Sequence, residues 1–77
     1  MESFVKLESV ESVKEFVRLT ALLPVSATLK SDRYTVDAKS LLGVFSLNLS
    51  EPVQILVDGK EALDDETKEL FKDFLAA

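Results

Sequence analysis

The chain has 77 residues, 47% of them apolar, and carries nine Lys and Arg against fourteen Asp and Glu, a net charge of −5. It has no cysteine and no histidine, which excludes disulfides, thiol chemistry, the usual zinc sites and any imidazole acting as acid, base or phosphate acceptor. The length predicts one domain spanning 1–77, near the size at which one hydrophobic core just suffices. The acidic balance and the scattered lysines and arginines speak against nucleic acid and against an anionic membrane surface. No run approaches the roughly 18 apolar residues of a membrane span. Met1-Glu2-Ser3-Phe4 has neither the basic head nor the long apolar stretch of a secretion signal, so a cytoplasmic location is expected.

In chain order, Phe4-Val5-Lys6-Leu7-Glu8 predicts a short strand with Val5 and Leu7 on one face. A helix follows over about residues 10–22. Ser9 could cap it, or Ser12, with Glu15 completing a capping box. Val10, Val13, Phe16, Val17, Thr20 and Ala21 recur at helical spacing, and Pro24 bars continuation. Val25 to Leu29 alternates cleanly, Ser31-Asp32 turns, and Arg33 to Asp37 returns with Tyr34 and Val36 on one face, giving a hairpin.

Ser40 stands directly before an apolar run and predicts the N-cap of a short helix reaching about Leu47. Leu41, Val44 and Leu47 could seat that helix, whose interior Gly43 makes it dependent on tertiary packing. Leu42 and Phe45 are then left over, either as an apolar surface for a partner or as core residues if the helix rotates slightly. After a turn and Pro52, Val53, Ile55 and Val57 form the inward row of a strand. Asp58-Gly59 turns the chain. Asp64 or Asp65 starts a last helix with Leu63, Thr67, Leu70, Phe71 and Phe74 on one stripe and Leu75 beside it. Four amphipathic strands and three amphipathic helices predict an α+β fold, one sheet face covered and the other open.

The order of elements and the segment Ala38-Lys39-Ser40-Leu41-Leu42-Gly43-Val44-Phe45-Ser46-Leu47 resemble the HPr family, the small histidine-containing phosphocarriers of the bacterial sugar phosphotransferase system. Over nearly the whole chain the resemblance implies an open-faced β-sandwich: strand, helix, strand, strand, helix, strand, helix, with a four-stranded antiparallel sheet in order 1-4-2-3 and three helices on one face. Family members carry phosphate on a histidine in a Gly-x-His-x-Arg-Pro loop. Here the corresponding stretch is Leu7-Glu8-Ser9-Val10-Glu11-Ser12-Val13, with Ser9 near the histidine position and Glu11 near the arginine. Serine forms no labile phosphoimidazole, and a carboxylate repels phosphate where a guanidinium clamps it. Ser9, Glu11 and Ser12 thus form a degenerate active-site loop.

A second family site does match. The resemblance implies that Ser40 is a regulatory phosphosite and that Lys39, Ser40, Leu41, Leu42 and Phe45 form a partner-binding surface. A dianion at a helix N-terminus is physically acceptable, with Lys39 adjacent to assist. The expected role is a regulatory or adaptor protein whose partner is a regulator, a kinase or a phosphotransferase-system component. Two alternatives stand beside it. One is a phosphocarrier using a non-histidine site; the other is a structural or oligomerising domain pairing through Phe4, Tyr34 and Leu56 on the open face. No cofactor, metal or catalytic residue is expected. Glu8, Glu11 and Glu15 read as a solvated face, Asp64-Asp65-Glu66 as a capping cluster, and no serine has a base to activate it. A monomer or weak homodimer is expected.

Overall fold

Ser9, with extended backbone at φ −146°, accepts the Ser12 N–H at 3.0 Å in the computed structural model, which describes residues 2–32 and 34–76. The helix it caps, α1, runs Val10–Thr20. Ser12 lies inside it, and Glu15 pairs with Arg18 rather than closing a capping box. With about 3.6 residues per turn, Val13, Phe16 and Thr20 share one narrow arc and are buried, while Val10 and Ala21 fall to its flank and are exposed. The helix stops two residues earlier than the periodicity predicts, because Leu22 and Leu23 already bond back to Leu19 and Thr20 in tighter turns ahead of Pro24.

The strands are β1 (Ser3–Val5), β2 (Ala27–Ser31), β3 (Tyr34–Asp37) and β4 (Val53–Val57); the remaining helices are α2 (Leu41–Phe45) and α3 (Asp65–Leu70). All pairings are antiparallel, in the order β1-β4-β2-β3. The first strand is shorter than the alternation through Glu8 predicts. Ladder pairing with β4 ends at Val5, and the Lys6 N–H turns to the Phe74 carbonyl at 2.7 Å, which still leaves Leu7 buried. The β2 ladder lies two residues later than predicted, and an even offset leaves every side chain on its expected face. Arg33, expected to open the next strand, lies outside the described residues.

Register decides the faces. Val5 opposes Val53, Leu29 opposes both Ile55 and Val36, and Ala27 opposes Val57, so these residues share one side. That side meets Val13 and Phe16 of α1, Val44 of α2 and Phe71 just after α3 in a single buried cluster. The Phe16 ring lies 5.2 Å from that of Phe71 and 5.7 Å, edge-on, from that of Phe74. The other face carries Phe4, Gln54, Leu56, Thr28 and Lys30. Tyr34, expected there, is not: it opposes Ser31, two residues from Leu29, and so belongs to the helix side, beyond the helices' cover and well exposed.

Asp58 and Gly59, at φ +54° and +74°, make the two-residue turn after β4, with Val57 and Lys60 exchanging both peptide hydrogen bonds. Asp64 is the cap of α3, accepting the Thr67 N–H at 2.8 Å, and Thr67 holds its carboxyl below the usual carboxylate range. The helix ends at Leu70, short of Phe74, yet the stripe holds: Leu63, Thr67 and Phe71 are buried, and Leu70, Phe74 and Leu75 are half-buried.

Candidate functional site

Three backbone devices place Ser40. The Ala38 N–H joins the sheet through the Ala27 carbonyl at 2.9 Å; the Asp37 carboxylate accepts the Lys39 N–H at 2.8 Å; the Asp37 carbonyl accepts the Ser40 N–H at 3.0 Å. Ser40 is then extended, at φ −102° and ψ 114°, and its Oγ accepts the Gly43 N–H at 3.1 Å. That is the geometry of an N-cap satisfying a donor the first turn leaves unpaired. Gly43 has a packing reason beyond helix propensity. A Cβ there would lie 3.3 Å from Ser40 Oγ and 3.4 Å from Val36 Cβ, so the glycine lets the short helix press against both its own cap and β3.

Two side chains tie this corner to α1 and to the turn that follows it. The Thr20 hydroxyl, fully buried, lies 2.8 Å from the Val17 carbonyl and 2.9 Å from the Ala38 carbonyl, sharing its one proton between them. The Lys39 ammonium donates to the Leu23 carbonyl at 2.9 Å. Replacing Thr20 with valine keeps the shape and removes the donor. It is expected to cost about 1–3 kcal/mol in urea unfolding, because the Ala38 carbonyl is left buried without its side-chain partner. Thr20→Ser should recover most of that loss, and a valine variant as stable as the parent would refute the tie.

Ala38 lies at Thr20, the last residue of α1, and Phe45 shares a groove with Val10, its first. Val44 and Leu47 seat α2 and are buried; Leu41, expected to help them, is 37% exposed. At helical spacing Val44 and Leu47 take the inward arc and leave Leu41 on its margin. Leu42 is 83% exposed and Phe45 40%, so the leftover pair is surface, not core. Val10, 53% exposed, extends it. Val10, Leu7, Val13, Phe45 and Leu49 line a groove of about 330 Å³ with Glu8 and Ser9 on its rim. Val10 and Leu49 are the residues that sequence reasoning missed here.

Of the five expected surface residues, Leu41, Leu42 and Phe45 lie on α2 and Ser40 caps it, whereas Lys39 precedes the cap and its ammonium is held by the Leu23 carbonyl; of Ser9, Glu11 and Ser12, expected in one loop, only Ser9 lies outside α1, and none joins Ser40. Ser9 meets the Phe45 end of α2, whereas Ser40 sits at the other end. Ser9 Oγ is occupied with the Ser12 N–H and hydroxyl, each at 3.0 Å, and Glu11 is exposed in the first turn, where the helix end favours a carboxylate. Among the described residues, no three His, Cys, Asp or Glu side chains group as metal ligands, and no helix is long and apolar enough to cross a membrane. The chain matches no protein-family model, no curated protein and no solved structure in the comparisons made with each.

Proposed function

We propose that the chain is an HPr-like regulatory or adaptor protein without histidine phosphotransfer, docking a partner protein through the Ser40 helix. The observation that carries this reading is the pairing of a capping Ser40 with a nearly bare Leu42 and a half-bare Phe45 on a helix already seated by Val44 and Leu47. A buried pair would have made the segment a piece of core; an exposed pair beside a polar cap is what supports reading it as an interaction surface. The HPr resemblance supplies the partner class, a protein regulator, kinase or phosphotransferase-system component, and the role of Ser40 as a phosphoserine. The absence of histidine from the sequence removes the family's relay chemistry, and no nucleophile beside a base suggests turnover in its place.

A phosphate on Ser40 Oγ would compete with the cap, because the same oxygen accepts the Gly43 N–H. Its oxygens can take over that donor, and the positive end of the helix favours the dianion. The test is incubation with ATP and an HPr-type serine kinase, followed by intact mass. One added phosphate, lost in Ser40→Ala, is expected; an unchanged mass would remove the phosphoserine from the proposal and leave the docking surface to be tested separately.

A further inference from the structure

The outer edge of β1 is closed by the end of the chain itself. Residues 72–76 turn back after Phe71, Leu75 forms an antiparallel bridge with Val5, the Lys6 N–H donates to the Phe74 carbonyl at 2.7 Å, and the Ala76 N–H donates to the Phe4 carbonyl at 2.9 Å. This segment covers what would otherwise be a row of unpaired peptide groups on an edge strand. It is held weakly compared with the strands it covers. Phe74, Leu75 and Ala76 are each only half-buried, and among the described residues the aromatic contact from the segment is Phe74 edge-on to Phe16. Hollows of about 560, 400 and 260 Å³ all adjoin Ala76. By contrast, Phe71, which anchors α3, is fully buried, and Ile55 sits between two pairing strands with no exposure.

We infer that residues 72–76 are an opening strap: they leave β1 as a unit while the four-stranded sheet and α1 stay folded. The closed chain then presents one free edge strand among the described residues, β3. The open chain presents a second, with the Phe4 carbonyl, the Lys6 N–H and one side of the Phe16 ring bared together. A segment joined by few hydrogen bonds and bordered by hollows belongs to the low-stability end of a fold, where local opening precedes global unfolding.

Amide hydrogen exchange of the full chain, residue by residue and in increasing sub-denaturing urea, tests this. Lys6 is the diagnostic amide, since it belongs to the body of the domain and is freed only if the strap departs. Lys6 and Ala76, whose N–H groups bridge β1 and the segment, are expected to exchange at least ~100-fold faster than Leu29 and Ile55 after correction for intrinsic rates, with a weak urea dependence common to both. If Lys6 matches Ile55 in both rate and urea slope, the strap opens only when the whole domain does, and the inference is overturned. Fast exchange confined to Ala76, with Lys6 slow, overturns it equally, because the opening is then local to that residue and leaves β1 covered.

Discussion

Phe16→Ala is expected to lower stability by about 3–5 kcal/mol. At roughly 0.05–0.15 kcal/mol per residue, a chain of 77 residues has about 4–12 kcal/mol in all, so this single truncation removes about a quarter of it or more. Phe16 is fully buried, meets the rings of Phe71 and Phe74, and sits where α1, the end of α3 and the sheet converge. A small domain has no second core to absorb the loss. Urea unfolding followed by circular dichroism should show the midpoint falling sharply in Phe16→Ala and far less in Phe16→Leu, which refills part of the volume. A loss below about 1 kcal/mol for alanine would mean that the site collapses around the smaller side chain and that the core is held elsewhere.

The core of which Phe16 is the hub was legible in the sequence because burial follows period, and period survives errors of boundary. The β2 ladder is displaced by two residues, yet Ala27 and Leu29 point inward as the alternation requires, since only an odd slip exchanges the faces. The last helix stops early and its stripe still packs. What period could not settle was position at the margins. Val10, Leu41 and Ala21 fit the inward spacing of their helices but lie at the edge of the arc, where the curvature and extent of the covering sheet decide exposure. The alternation already sets Tyr34 in one row with Val36, and because register pairs Val36 with Leu29 and Tyr34 with Ser31, that row faces the helices and the open face loses Tyr34. The end of the chain carried no strand signal at all; its pairing with β1 arises only because α3 ends one turn early and delivers Leu75 beside Val5. At the candidate site, the Ser40 cap was readable from a polar residue before an apolar run. The fate of Leu42 and Phe45 was not, because a rotation of less than one residue's turn about the helix axis separates core from surface.

That rotation has a functional consequence that two variants on the same helix can separate. Leu42→Asp should leave stability within about 0.5 kcal/mol of the parent, since the side chain is 83% exposed and nothing is uncovered by its loss. A carboxylate at the second residue of α2 also lies at the helix end that favours negative charge, so the fold has no electrostatic reason to object. Binding of a partner captured by the parent chain should nevertheless fall by roughly 30-fold or more, about 2 kcal/mol, the scale for losing an apolar anchor at the centre of an interface. Val44→Ala should do the opposite, because Val44 is fully buried: about 1–3 kcal/mol of stability lost, and affinity for the fraction still folded largely retained. Calorimetric titration beside urea unfolding reads both quantities. Should Leu42→Asp bind as tightly as the parent, α2 is not the docking element. Should Leu42→Asp unfold the chain, the leucine is part of the core and not of a docking surface. A double variant of Leu42 and Phe45 then measures whether the two side chains act as one anchor. If they fill the same partner pocket, removing the second costs much less than it does alone.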